Sequence, residues 1–322
     1  MDRKLPGLIT ALNDVEMYEV FSRYLDRIDV PGLDRVEHSL IKYKPGKRCV
    51  IEFRLWRGSS YEVYYGKLFR KNRGEVIFQN FQRLWRQWSE MKPPPLMPEP
   101  VAYIAELGMV LQKNVQGVPF LEYDRPDNLF QAVRHAAHTL ATLHELPKIE
   151  LENRSLEAHF HKFARPPIEA VLEVMPDVAE VLYRLTRAFR QAAAEESAES
   201  YRIVHGDVNP MQIFVHDEQA YFVDFDGVCL SHPALDVSNF LIALKVRFPQ
   251  MANELTRYFL ENYLHRCPSA YLRGLRIYHA LIYFRRAMIA FRQKRHSYRE
   301  KWVHDLLQKA NSYLNKKTAV ID

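Results

Sequence analysis

The chain has 322 residues and only 11 glycines, about half of the ~7% usual for soluble proteins. No two of those glycines are spaced Gly-x-Gly, which excludes a Gly-x-Gly-x-x-Gly dinucleotide fingerprint, a glycine-rich nucleotide loop of that spelling and a Walker-A loop. Net charge is +6, but Arg273 to Lys301 holds nine Lys/Arg against one Glu, so the rest of the chain is close to neutral.

Hydrophobic residues make up 48% and charged residues 26%, with 18 Tyr, 18 Phe and 4 Trp, enough for a sizeable core and against long disorder. No uninterrupted apolar run exceeds five residues, Val101–Ala105 and Phe240–Leu244 being examples; a membrane helix needs about twenty. Cys49, Cys229 and Cys267 are odd in number and far apart, which suggests a reducing compartment and no cysteine metal site. No apolar signal region follows Met1-Asp2-Arg3-Lys4, so the expectation is a cytoplasmic protein.

Asn13-Asp14-Val15-Glu16 reads as a helix start with Glu three residues after the cap. Val15, Tyr18, Val20, Phe21 and Leu25 follow at helical spacing, and Pro31-Gly32 ends the helix. Val36–Tyr43, Cys49–Trp56 and Tyr61–Arg70 are rich in aromatic and β-branched residues and read as strands. Lys44-Pro45-Gly46-Lys47 and Arg57-Gly58-Ser59-Ser60 join them as hairpin turns. Glu75–Trp88 is helical, with Ile77, Phe78, Phe81, Leu84, Trp85 and Trp88 on its apolar face. After Pro93-Pro94-Pro95 come two more strands, Val101–Leu107 and Met109–Val115. This order predicts a five-stranded, largely antiparallel sheet with one helix laid on it. Beyond Gly117 helices are expected over 128–146, 156–164 and 168–196, short strands around 202–225, and helix from Pro233 onward. The predicted plan is a sheet-based N-lobe over 1–115 and a larger helical C-lobe over 116–322.

The chemistry concentrates between Ile203 and Val237. A strand delivers His205-Gly206-Asp207; five residues after Asp207 stands Gln212; Asp224-Phe225-Asp226 closes a later strand; Pro233-Ala234-Leu235-Asp236 follows. Phosphoryl transfer from ATP requires a carboxylate at the acceptor hydroxyl, oxygen ligands for Mg²⁺ and a cation on the phosphates. Asp207 suits the first role as general base, and Asp224 with the Gln212 amide oxygen suits the second.

These residues resemble the aminoglycoside phosphotransferase and choline kinase group, the small-molecule branch of the protein-kinase-like fold. Its pattern is His-Gly-Asp, then Asn after four residues, an Asp-Phe-Asp-like triplet, and Gly/Ser-x-Pro-x-x-Asp. Here it stands as His205-Gly206-Asp207, Asp224-Phe225-Asp226 and Ser231-His232-Pro233-Ala234-Leu235-Asp236, with Leu143-His144-Glu145-Leu146-Pro147 ending a helix like the family's. The resemblance covers about residues 34–300 and implies an α+β, bilobal protein-kinase-like fold and an ATP- and Mg²⁺-dependent kinase acting on a hydroxyl of a small molecule.

Carried over, Asp207 is the base, Asp224 the main metal ligand, and Asp226 a second ligand or the triplet's orienting residue. Asp236 is similar to the family's structural Asp, which accepts backbone hydrogen bonds under the catalytic loop. Lys67, on the third strand, stands where the family keeps its phosphate-binding lysine, and Glu75, the first acid of the following helix, is the candidate partner; the alternatives are an exposed strand lysine and a helix-start carboxylate. Leu111–Val115, with Gln112 and Asn114, is similar to the hinge that presents backbone groups to adenine. Gln212 replaces the family's Asn and is read as a branch feature shared with maltokinase-like sequences. The hairpin Tyr43–Arg48 has one glycine, Gly46, and Lys47 or Arg48 would add charge at the phosphates, the alternative being an ordinary basic hairpin.

Leu275–Arg292 is apolar almost all round, as in a buried helix. Tyr278, Arg285 and Arg292 form a stripe on it; the alternatives are an internal ion pair or solvent-facing stripe, and an arginine facing the acceptor, which would favour an anionic one. Three rivals stand beside the kinase reading. One is a nucleotide-binding, pseudokinase-like module with weak or no transfer. Another is a protein kinase, against which stands the absence of Asp-Phe-Gly and an Ala-Pro-Glu-like segment. The third is a nucleic-acid binder using Arg292-Gln293-Lys294-Arg295.

Overall fold

The Asn13 side chain caps the first long helix as the sequence predicts, accepting from the N–H groups of Val15 and Glu16 at 3.1 and 3.3 Å. The computed structural model describes residues 2–24, 28, 32–70, 73–293 and 299–315. Leu25 and Pro31 at the expected end of that helix, and Lys294 and Arg295 of the basic tail, lie outside the described residues. The described chain divides into two units. One is the chain up to Gly117 together with Tyr221–Asp226; the other is Val118–Ala220 with the chain from Gly227 on.

In the first unit, α1 (Leu8–Ala11) and α2 (Asp14–Ser22) precede β1 (Arg35–Lys44), β2 (Arg48–Arg57) and β3 (Ser60–Phe69). Then come α3 (Arg73–Ser89), β4 (Pro100–Ile104) and β5 (Met109–Lys113). The five strands form one sheet in the order β1-β2-β3-β5-β4, every pair antiparallel. On β2 the alternate residues Cys49, Ile51, Phe53 and Leu55 are fully buried, the period-2 signature of a half-buried strand. On α3 Ile77, Phe81, Leu84 and Trp88 are buried, one face of a 3.6-residue period. The expected strand over 101–107 ends at Ile104, because Ala105–Leu107 coils into a 3₁₀ turn closed by Gly108 at φ 63°. That left-handed geometry carries no penalty for glycine.

The second unit opens with β6 (Val118–Pro119), α4 (Pro126–Glu145), α5 (Leu156–Phe163), α6 (Ile168–Leu172) and α7 (Ala179–Ala194). The single helix expected over 168–196 is two, split at Pro176, which has no N–H for the helical ladder. β7 (Arg202–Val204), β8 (Ile213–His216), β9 (Gln219–Phe222, of which Tyr221 and Phe222 count with the first unit) and β10 (Cys229–Ser231) follow. Then come α8 (Ala234–Arg247), α9 (Ala252–Leu264), α10 (Leu275–Arg292) and α11 (Arg299–Asn315). β7 pairs with β10 and β6 with β8, both antiparallel. α10 is buried on most sides, as its composition predicts. Its Phe284 ring lies 5.3 Å from Phe160 of α5 and 5.8 Å from Phe189 of α7, an aromatic lock that fixes the rotation of α10. Among the described residues no helix is long and apolar enough to cross a membrane.

Candidate active site

Lys67 sits near the end of β3, opposite Val50 of β2 and Val110 of β5, and is 8% exposed. Its ammonium bonds two carboxylates of the Asp-Phe-Asp triplet, Asp224 at 3.0 Å and Asp226 at 3.2 Å. Arg48, at the start of β2, reaches the same pair, 3.1 Å from Asp226 and 3.6 Å from Asp224. The triplet is anchored by Phe225, whose ring stacks on Phe81 of α3 at 6.1 Å. Asp224 takes a left-handed φ of 73°, a conformation that non-glycine residues keep only where the surroundings hold it, often at functional sites.

The charges in this cluster set one another. Burial alone would push the Lys67 ammonium down, but Asp226 and Asp224 outweigh it and the net direction is up. Burial opposes ionisation of Asp224, yet Lys67 and Arg48 hold its carboxyl well below the usual range. Asp226, buried beside the Asp224 charge, is pushed up.

Two of the expected residues stand apart from this cluster. Glu75 is exposed in the first turn of α3, and the partners of Lys67 are Asp224 and Asp226 instead. The position of Glu75 so early in α3 leaves its carboxylate near Tyr103. Likewise Lys47 is an exposed turn residue, and the hairpin's contribution to the acids is Arg48. Alternation decides this: Arg48 begins β2, whereas Lys47 closes the turn with its N–H on the Lys44 carbonyl.

The Gly46 N–H of that turn is also engaged, by the Asp2 carboxylate at 2.6 Å, which further accepts the Tyr43 hydroxyl at 2.9 Å. Gly46 stands at φ 64°, with Pro45 before it, the arrangement of a type II turn. Asp2 was not singled out by its sequence context; a lone acid near a terminus carries no local signal.

At the expected hinge, Gln112 is buried in β5 opposite Tyr65 and Pro100. The N–H groups of Lys113 and Asn114 are spent on the carbonyls of Glu99 and Val63. The Val115 N–H takes no protein acceptor among the described residues, so the open backbone donor stands one residue beyond Asn114.

In the second unit the loop after β7 carries Asp207. Gly206 has φ 81°, and a Cβ built on it would meet the Gly227 carbonyl oxygen at 2.6 Å; only glycine fits. The loop backbone is held from below by Asp236 of α8, fully buried, whose carboxylate accepts the N–H groups of His205 at 2.6 Å and Gly206 at 2.8 Å. His144, at the end of α4, approaches the same carboxylate through Nε2 at 3.3 Å and Tyr263 through Nδ1 at 2.6 Å. The carboxylate accepts, so Nε2 donates to it, while Nδ1 pairs with the Tyr263 hydroxyl.

Gln212 ends a 3₁₀ turn over Pro210–Gln212 capped by Asn209. Asn209 donates through Nδ2 to Gln212 Oε1 at 2.7 Å, which orients that amide oxygen. An Asn before Pro at a turn start is a readable cap signal, and Asn209 is a site residue that this signal finds. The carboxylate of Asp207 is about half exposed and meets Arg285 of α10 at 2.7 Å. Of the three stripe residues, Tyr278 is buried and donates to Glu196, Arg285 pairs with Asp207, and Arg292 is exposed.

The model of the phosphotransferase enzyme family, APH, matches residues 63–278. No curated protein matches the chain. Among solved structures, choline kinase from Cryptosporidium parvum Iowa II is similar over 92% of this chain and 96% of its own, at 12% identity and a TM-score of 0.64. Aminoglycoside phosphotransferase APH(3'')-Id from Streptomyces rimosus covers 82% of this chain and 97% of its own, at 20% identity and a TM-score of 0.56. ADP-bound aminoglycoside phosphotransferase APH(2'')-Ib covers 92% and 98%, at 14% identity and a TM-score of 0.59. The fold is thus α+β and protein-kinase-like, as the motifs implied.

Proposed function

Because the chain belongs to the phosphotransferase enzyme family, we propose that it is an ATP- and Mg²⁺-dependent kinase that phosphorylates a hydroxyl of a small molecule. The observation that carries the reading is the pair of acids, Asp224 and Asp226, shared by Lys67 and Arg48 within 3.0–3.6 Å. It offers carboxylates for a divalent cation and two cations for nucleotide phosphates in one cluster.

The donor set fits Mg²⁺. Asp224 and Asp226, with the Gln212 amide oxygen, are the hard oxygen ligands that would hold it; Mg²⁺ asks for only one or two protein carboxylates. When bound, the ion supplies charge neutralisation at the transferring phosphates. With the ion in place, Lys67 and Arg48 would be the cations that serve the phosphate oxygens. The Val115 N–H would donate to the purine edge, with Gln112 and Asn114 flanking that backbone, and Lys47 and Glu75 are the further candidates on the nucleotide side.

Asp207 is the base. Its carboxylate accepts the hydroxyl proton as the oxygen attacks, and the Asp236 bonds to His205 and Gly206 keep the loop in place. A reducing cytoplasm, where ATP is held, suits the three free buried cysteines. The alternative of a nucleotide-binding module without transfer gains nothing from the site, since Asp207, Asp224 and Lys67 are all present.

The test is ATP consumption over a panel of metabolite alcohols. Asp207→Asn is expected to retain Mg·ATP binding and lose turnover by about 10²–10⁴-fold. Undiminished turnover in that variant would remove Asp207 from the mechanism.

A further inference from the structure

Arg285 is bound unevenly. Its Nη1 serves Asp207 at 2.7 Å and Asn239 at 3.3 Å, and its guanidinium lies over the Phe163 ring at 4.8 Å. Among the described residues, Nε and Nη2 bond no protein acceptor. Half of a rigid donor fork is therefore left for something else.

A second cation stands nearby. Lys162 of α5 precedes Phe163, keeps part of its side chain in solvent and part against the protein, and forms no ion pair with a carboxylate among the described residues. Its ammonium is pushed down by burial, then by the charges of Arg154 and Arg285, with Asp207 opposing. Arg154 is already matched by Glu152 at 2.6 Å and donates to the Gly227 carbonyl at 3.1 Å. His159, one turn from Lys162, is held neutral, burial pushing it down to about 3. Around Asp207 the second unit thus sets three cations, Arg154, Arg285 and Lys162, against two carboxylates, Asp207 and Glu152, and the charge left over lies on the free edge of Arg285 and on Lys162. A cationic alcohol brought to Asp207 would meet both in repulsion, whereas an anion would complete them.

We propose that the acceptor is an anionic alcohol, whose carboxylate or phosphate is taken by the free edge of Arg285 and by Lys162 while its hydroxyl lies at Asp207. The inference rests on the kinase reading above and adds the substrate class. Arg285 already touches Asp207, so hydroxyl and oxyanion belong close together, roughly 4–6 Å apart, the span of two hydrogen bonds from neighbouring groups.

The experiment is calorimetric titration of the full chain, loaded with Mg²⁺ and a non-hydrolysable ATP analogue, using four matched probes: glycerol, choline, D-glycerate and glycerol 3-phosphate. The expected result is that at least one anionic probe binds about 10-fold or more tightly than glycerol and choline. Glycerate and glycerol 3-phosphate separate a carboxylate from a phosphate as the preferred anion. Arg285→Gln and Lys162→Gln are each expected to weaken the anion by about 10- to 100-fold. Arg285→Lys keeps charge without the fork and should restore part of the loss. Nucleotide affinity and melting temperature report whether each variant folds. If wild-type protein fails to bind nucleotide, the kinase reading falls, and this inference with it. If nucleotide binds but the anions bind no better than glycerol and choline, or bind Lys162→Gln and Arg285→Gln as well as wild type, the anionic acceptor alone is refuted.

Discussion

Asp236→Asn tests how the loop carrying Asp207 is built. The change preserves shape and removes only one acceptor and one charge. In the native protein one oxygen accepts from His205 N–H and His144, the other from Gly206 N–H. An asparagine can keep the first set only by turning its NH₂ against the Gly206 N–H; the opposite flip forfeits two bonds. The least costly outcome loses one charge-assisted bond and leaves buried donors facing each other. With charge-assisted bonds at about 1.5–3 kcal/mol and an unsatisfied buried donor at about 1–3 kcal/mol, partly offset by removing a buried charge, the expected loss is about 3 kcal/mol. Urea unfolding followed by far-UV circular dichroism should show the midpoint falling by about 1–1.5 M for a slope of about 2–3 kcal/mol/M. Turnover should fall with it, since His205 and Gly206 position Asp207. A midpoint within about 0.2 M of wild type would refute the claim that Asp236 holds this loop.

Three further outcomes are expected. Gly206→Ala places a methyl 2.6 Å from the Gly227 carbonyl at φ 81°, and should lower stability by about 2–4 kcal/mol, read as a lowered thermal midpoint. Lys67→Met removes the shared cation of Asp224 and Asp226 and should reduce kcat/KM for ATP by about 10²-fold or more, with Mg²⁺-dependent nucleotide binding weakened in the same titration. Burial pushes His159 down to about 3 and His232 to about 4 from the ordinary 6.5. Both are neutral when folded and take protons when unfolded. Their contribution is complete above about pH 6.5 and is lost as pH falls toward the native values, at up to about 1.4 kcal/mol per histidine per pH unit. Urea midpoints should therefore drop between pH 7 and pH 5, and a flat profile there would contradict the burial of these rings.

Much of the fold was legible locally. Period-2 burial on Cys49, Ile51, Phe53 and Leu55, helical spacing on Ile77, Phe81, Leu84 and Trp88, and turn chemistry at Pro45-Gly46 are properties of neighbours in the chain. The spacing of His205-Gly206-Asp207, Asp224-Phe225-Asp226 and Asp236 belongs to the same class, because each residue's work is tied to a loop a few residues long. Where local reading failed, the reason was local too: one imide nitrogen at Pro176 divides a segment whose apolar pattern runs on.

Partnerships were another matter. Lys67 had a plausible acid eight residues on, in Glu75, yet its partners lie at 224 and 226, because ion pairs follow three-dimensional distance and Glu75 sits on an exposed helical turn. Lys47 and Arg48 are indistinguishable by composition; strand alternation sends Arg48 to the acids and leaves Lys47 in the turn. The charge stripe on α10 could be read from the sequence, but Phe284 locked between Phe160 and Phe189 sets the helix rotation that brings Arg285 to Asp207 and leaves Arg292 in solvent. Short-range pattern along the chain was enough to give most of the elements and the family. Only the tertiary structure decided which charge faces which, since that depends on how distant segments are packed.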